Sequence, residues 1–138
     1  MSRPDTQLIG MRGEYAVAAE IVRRGYMAAM ATKNAAGVDL FVTDAGCQNT
    51  CTIQVKTTTN QRFWNVGKVL RSDTHIYIFV WFEDSEKRED HFYIVPSRVV
   101  EDIRRTSPDP RKTQPWVNRK DALNYEDAWE GLFEKMRP

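Results

Sequence analysis

The run HIYIFVWF, His75 to Phe82, constrains the fold more than any other stretch of this chain. After the histidine every residue is apolar or aromatic. Successive side chains of a strand point to opposite faces, so this run predicts a central strand with a covering layer above and below it. Its apolar part, IYIFVWF, is seven residues long, whereas a membrane helix takes about 20. The opening MSRPDTQLIGMRGEY has no apolar leader segment. The expectation is a cytoplasmic protein without a membrane partner. Its 138 residues suit one domain, 1–138, with a sizeable core.

Around that strand the other elements follow from periodicity. Pro4 to Arg24 reads as a helix. Leu8, Met11, Tyr15, Ala18, Ala19 and Val22 recur at helical spacing as its inward stripe, and Gly25 can end it. Gly10 and Gly13 each cost about 1 kcal/mol relative to Ala inside a helix, so they hint at close packing or an irregular first turn. Tyr26–Ala31, Val38–Thr43 and Cys51–Thr57 read as strands, the last two joined by DAGCQNT as a hairpin. Asn60 to Asp73 is polar and irregular. His91–Val95 returns from the central strand across the charged turn EDSEKRED. Pro96-Ser97 opens a short helix, Arg98–Arg105, with Val99, Val100 and Ile103 as its stripe, and TSPDPRKTQP is a loop. Tyr125–Met136 is a terminal helix with Trp129, Leu132 and Phe133 facing inward, capped by Asn124, or by Asn118 or Asp121. The order α-β-β-β-β-β-α-α predicts an α/β fold of two or three layers. Its central mixed sheet has about five strands, and the first helix packs on one face.

Two strands carry residues that a buried strand should avoid. Val38, Leu40 and Val42 alternate with Asp39, Phe41 and Thr43; Cys51, Ile53 and Val55 alternate with Thr52, Gln54 and Lys56. Opposed residues of an antiparallel pair share a face. Paired numbers summing to 93 put Asp39 opposite Gln54, and a sum of 95 puts it opposite Lys56. An even sum separates the acid from the lysine. Converging polar groups are costly unless they satisfy one another or a ligand. One reading is an Asp39–Lys56 ion pair on a solvated face. The other adds Glu14, on the inward side of the first helix by rough phase. Two carboxylates and an amide oxygen then form a hard-oxygen site suited to Mg²⁺ or Mn²⁺. A lysine beside it can orient a water or stabilise charge on a phosphate. Glu20 is the rival of Glu14, more simply read as a surface partner of Arg23 or Arg24. Cys47 and Cys51 form a lone pair where a structural zinc site needs four ligands, so they read as incidental thiols at a turn.

Glu14 in GMRGEYAVAAEIVRRGY, Val38-Asp39 in GVDL and Gln54-Val55-Lys56 in QVKT, with FYIVPSRVV and Tyr125, Asp127, Ala128 and Trp129 further on, resemble the PD-(D/E)XK nuclease superfamily. The likeness is to small bacterial proteins related to Holliday-junction resolvases and restriction endonucleases, and it covers most of the chain. It implies a restriction-endonuclease-like fold and metal-dependent hydrolysis of DNA phosphodiester bonds in repair, recombination or restriction. By position Asp39 would be the metal ligand and Glu14 the helix carboxylate. The Val55 carbonyl would be a further ligand, and Lys56 would orient the attacking water. Gln54 departs from the family's usual Asp or Glu, supplying a neutral oxygen that weakens metal binding; methyl-directed restriction endonucleases resemble this chain in that variant. Val38 replaces the family's proline.

A net charge of +1 gives no global basic field, so any nucleic-acid footprint is local, and tight sequence-independent binding at high salt is disfavoured. Lys33 and Asn34 precede Asp39, while Thr58, Asn60, Arg62, Trp64, Lys68 and Arg71 follow Lys56. These suit phosphate contacts and stacking on an unpaired base; a surface loop with Trp64 in the core is the alternative. Arg111, Lys112, Arg119 and Lys120 read as a solvated face. Besides the endonuclease, the chain fits a nuclease-fold module that binds nucleic acid or protein without catalysis. An enzyme cutting two strands often works as a C2 dimer, with HIYIFVWF or the first helix as interface.

Overall fold

The computed structural model describes residues 6–32, 37–83, 89–109, 111, 113–134 and 136. Pro4, Lys33, Asn34, Lys112 and the charged turn at 84–88 lie outside them. The elements are α1 (Thr6–Arg23), β1 (Met27–Met30), β2 (Leu40–Thr43), β3 (Thr50–Thr58), β4 (Phe63–Asn65), β5 (His75–Phe82), β6 (Asp90–Pro96), α2 (Ser97–Ile103), β7 (Trp116–Asn118) and α3 (Trp129–Glu134). Two 3-10 turns, Arg119–Asp121 and Leu123–Tyr125, come before α3.

The main sheet has the order β1-β2-β3-β5-β6. It is mixed: β3 and β5 run parallel, and the other neighbours are antiparallel. All eight residues of β5 are buried, as a central strand between two layers requires. HIYIFVWF is therefore closed off as an interface. On one face Ile53, Val55, Ile76, Ile78 and Val80 pack with Val17 and Ile21 of α1 and Trp129, Leu132 and Phe133 of α3. On the other Tyr77, Phe79, Trp81, Tyr93 and Val95 pack with Trp64, Val66, Val100, Val117 and Ala122. This second cover is a two-stranded sheet, β4 with β7, together with α2 and the 3-10 turns. The result is three layers.

Three expectations are corrected. First, α1 buries Gly13, Val17 and Ile21, roughly half a turn from the stripe the sequence suggested. Leu8 is 62 % exposed and Tyr15 56 %, and Met11 and Val22 also face out. The helix is apolar on both sides, and the sheet takes the side with the smaller residues because they permit closer approach. Second, β4 and β7 fall where an irregular stretch and a loop were expected; at three residues each they are too short to show alternation. Third, α3 begins at Trp129, and 121–128 folds as 3-10 turns and extended chain. Asn118 precedes a 3-10 turn without a side-chain capping bond, Asp121 and Asn124 lie inside such turns, and Asp127 has φ 54. None of the three caps α3.

Candidate functional site

The β2–β3 pairing has the odd register: Leu40 faces Ile53 and Phe41 faces Thr52, a sum of 93. At Asp39 the ladder slips. Its N–H donates to the Ile53 carbonyl at 2.8 Å, so Asp39 and Leu40 both meet Ile53. Two residues against one is the count of a β-bulge, which re-aims a side chain. The simple opposition of Asp39 to Gln54 is thereby broken. On its other side Asp39 keeps the β1 ladder, its carbonyl accepting from Ala31 N–H at 2.9 Å. Gly37, at φ 75, turns the chain into this bulge.

The re-aimed carboxylate does two things. Its Oδ2 accepts the Val55 N–H at 2.8 Å, and it shares a hydrogen bond with the carboxyl of Glu14. Burial, then the charge of Asp39 and the hydrogen bond to it, pushes Glu14 up to about 7, so Glu14 keeps its proton until close to neutrality. In an extended strand a residue's N–H and C=O point toward the same neighbouring strand. The Val55 carbonyl therefore opens to the Asp39 side, beyond the end of β2. Glu14 and Asp39 line a hollow of about 700 Å³ between α1 and the β1–β2 edge, with Gly10, Met11, Tyr15 and Met30.

Gly13 explains how α1 comes so close. A Cβ built there would lie 1.9 Å from Thr57 Oγ1. The residue before Glu14 thus rests on the residue after Lys56, fixing helix against strand. Gly10 has open space around its Cβ position, so the tight contact belongs to Gly13 alone of the two. Glu20 is occupied elsewhere, by Arg23 at 2.9 Å and by Arg24.

Gln54 and Lys56 project from the opposite face of β3, over the aromatic layer, since β3 pairs Gln54 with Tyr77 and Lys56 with Phe79. The Gln54 Oε1 lies beside Gly37, 3.4 Å from where a Cβ would be. Lys56 lines a separate hollow with Thr57, Thr58, Phe63, Trp64 and Asn65. The residues expected as one cluster thus divide between two faces of the sheet: Glu14 and Asp39 line one hollow and Lys56 another.

Sequence reasoning passed over His75. It is 1 % exposed, its Nδ1 is 2.7 Å from Thr52 Oγ1, and its buried Nε2 has no partner. Burial lowers its pKa, partly offset by the charge of Asp39. A buried imidazole within electrostatic reach of Asp39 has no signature in the one-dimensional pattern.

The predicted nucleic-acid residues divide. Trp64 is 2 % exposed and its Nε1 donates to the Val80 carbonyl at 2.9 Å; it is core and stacks on no external base. Thr58 Oγ1 accepts from Asn60 N–H at 2.9 Å, and Asn60 Oδ1 from Arg62 N–H at 2.7 Å, so both shape the turn before β4. Arg71 lies 3.5 Å from Glu101. Lys68 and Arg62 are exposed.

Glu83, Glu89 and His91 bring three ligand atoms within 4.8 Å of one another at the other end of β5. His91 Nε2 is 3.1 Å from Glu83 and Nδ1 3.3 Å from Glu126. Burial alone would lower this ring's pKa, but the two carboxylates raise it. A carboxylate at each nitrogen favours the imidazolium form, which offers a metal no lone pair.

No helix among the described residues is long and apolar enough to cross a membrane. No protein-family model and no curated protein sequence matches the chain. Among solved structures it is similar to a bacterial homing endonuclease, I-Ssp6803I, with a TM-score of 0.66 and 17 % identity, over 97 % of this chain and 95 % of that one. At that identity the likeness is one of fold, and the α/β architecture with its five-stranded mixed sheet is shared with a nuclease.

Proposed function

We propose that this protein is a metal-dependent endonuclease of PD-(D/E)XK type that hydrolyses phosphodiester bonds in DNA. The observation that carries the reading is the Glu14–Asp39 carboxyl pair, held at a bulge beside the Val55 backbone. Two adjoining carboxyl groups beside a strand backbone are a donor set that fits a hard divalent cation. The fold shared with a homing endonuclease is consistent with it.

Asp39 and Glu14 would hold Mg²⁺ or Mn²⁺, completed by the Val55 carbonyl and the Gln54 amide oxygen. Bound there, the ion would polarise a phosphate oxygen and acidify a water. Ion uptake would release the proton of Glu14, so affinity climbs as pH rises through about 7. Lys56 would orient the attacking water and stabilise the charge that grows on the phosphate. His75 would keep its neutral ring behind the site, its Nε2 available to a polar neighbour. The exposed outer stripe of α1 would be the surface for a second copy of the chain.

A second reading rests on Gln54, which removes one of the anionic ligands: a nuclease-fold module that binds nucleic acid or protein without cutting. Calorimetric titration of Mg²⁺ and Mn²⁺ into wild type and Asp39→Ala separates the two. The endonuclease requires uptake by wild type, none by the variant, and cleavage of at least one of branched, duplex or single-stranded DNA. Absence of uptake even with a DNA duplex present would leave the binding module.

A further inference from the structure

The short sheet that closes the aromatic face has a second face of its own. Pairing Phe63 with Asn118, Trp64 with Val117 and Asn65 with Trp116 divides its side chains by parity. Trp64 and Val117 point into the core. Phe63, Asn65, Trp116 and Asn118 take the outer side, none of them fully buried. Two aromatic rings and two amides on a solvent-facing ribbon serve no purpose in closing the core.

Three hollows border this ribbon. Lys56 lines the first, together with Phe63 and Asn65. Those two residues also line the second, about 520 Å³, with Thr113, Gln114 and Trp116; that size lies within the roughly 300–1,000 Å³ of ligand clefts. The third lies past the Phe63–Asn118 pair and holds Gln61, Arg62, Arg119 and Lys120. Among the described residues no carboxylate lines any of the three. In a chain of net charge +1, a ribbon bordered by cations in two of its hollows and by no lining acid complements a polyanion.

The groups along the ribbon are held in place. Trp116 Nε1 donates to Asn118 Oδ1 at 3.1 Å, and the Trp116 backbone exchanges two hydrogen bonds with Arg105, at 2.7 and 3.0 Å. Arg119 donates from Nε to Tyr93 Oη at 2.8 Å and lies over the Trp81 ring at 4.7 Å. Its N–H ties the ribbon end to the Arg62 carbonyl at 2.8 Å. Pre-set aromatic and cationic groups lose little freedom on binding.

We propose that this ribbon is a DNA-binding site that takes an unpaired nucleobase. Phe63 and Trp116 stack on the base, and Asn65 and Gln114 contact its polar edge. Arg62 and Lys120 hold phosphates in the third hollow, and Lys56 holds the phosphate to be attacked in the first. The site rests on the endonuclease reading for the role of Lys56, but its stacking half stands apart from metal chemistry.

The test is fluorescence anisotropy in EDTA. A labelled duplex with a one-nucleotide gap is compared with the same duplex fully paired, for wild type, Phe63→Ala, Trp116→Ala and Trp116→Phe. Thermal unfolding shows that each variant is folded, and Mg²⁺ calorimetry is run beside it. The expected result is tighter binding of the gapped duplex by wild type, a loss of about tenfold for each alanine variant, and most of the affinity kept by Trp116→Phe. Equal binding of gapped and paired DNA by wild type overturns the proposal. So does an unchanged affinity in the folded alanine variants. Loss of DNA binding in Trp116→Ala without Mg²⁺ uptake by wild type supports the ribbon and removes the endonuclease reading. Mg²⁺ uptake with no effect of Trp116→Ala does the reverse.

Discussion

The two faces of the central sheet are closed in different ways. On the α1 face the sheet presents aliphatic residues, Ile53, Val55, Ile76, Ile78 and Val80, and a helix lies directly on them through Gly13. On the other face it presents Tyr77, Phe79, Trp81 and Tyr93, and a small ribbon covers them through Trp64. Small aliphatic side chains let backbones approach, so the helix brings a carboxylate to the rim of the sheet. The inner side of the ribbon covers the rings, and hollows lie beside Lys56 and on the ribbon's outer side. The Glu14–Asp39 pair lines a hollow beside α1, and Lys56 lines a separate one beside β4.

The largest effect expected from this contrast is at the aromatic face. Trp64→Ala removes a buried ring that touches Phe79 and Tyr93 at centroid distances of 5.0 and 5.2 Å, along with the bond to Val80. It should cost about 3–5 kcal/mol in a denaturant unfolding experiment, whereas Trp116→Ala on the outer side of the same ribbon should cost a small part of that. Equal losses at the two tryptophans would erase the distinction between the inner and outer sides of the ribbon.

The α1 face is tested by its glycines. Gly13→Ala drives a methyl into Thr57 Oγ1 and should destabilise by about 1–3 kcal/mol, as overpacking does. Thr57→Ala in the same chain should recover part of the loss, a coupling that a double-mutant cycle reads directly. Gly10→Ala meets nothing and should stabilise by about 0.5–1 kcal/mol through helix propensity. If both alanines stabilised, the helix would not rest on β3 as described.

The smallest effect is the pH dependence of the rim. Glu14 holds its proton in the folded state up to about 7 and in the unfolded state only to about 4.5. Between those values the native state binds more protons, so stability falls as pH rises through that window and levels off above it. With chelator present, Glu14→Gln should flatten that slope and leave the protein at least as stable as wild type at pH 8. A thermal melt series from pH 4.5 to 8 measures it, and an unchanged slope would mean that Glu14 is not raised by its burial and its contact with Asp39.

Much of this was legible in the residues themselves. Eight consecutive apolar or ring-bearing residues admit few structures besides a doubly covered strand. Val38–Thr43 and Cys51–Thr57 alternate clearly enough to give their hairpin, but only the structure chose the register sum of 93 among the odd and even alternatives. Glu14, Asp39, Gln54 and Lys56 stood out because charge and amide interrupt those patterns. The side of α1 that packs was not legible, since Leu8, Met11 and Tyr15 outweigh Gly13 and Val17 on any hydrophobicity scale. What decides between them is the distance between backbones, which a periodicity does not contain. The three-residue strands β4 and β7 escaped for want of length, and with them the half-buried ring of Trp116 and the buried one of Trp64.

Local chemistry, repeated every two or every 3.6 residues, therefore determined the strands, the central place of HIYIFVWF and the candidate chemical groups. Only the tertiary structure decided which of those groups meet. A one-residue slip at Asp39 turns its carboxylate toward Glu14 and away from simple opposition to Gln54. Contacts between residues distant in the chain, such as Gly13 on Thr57, set that geometry, because their energies depend on where backbones come to rest in space.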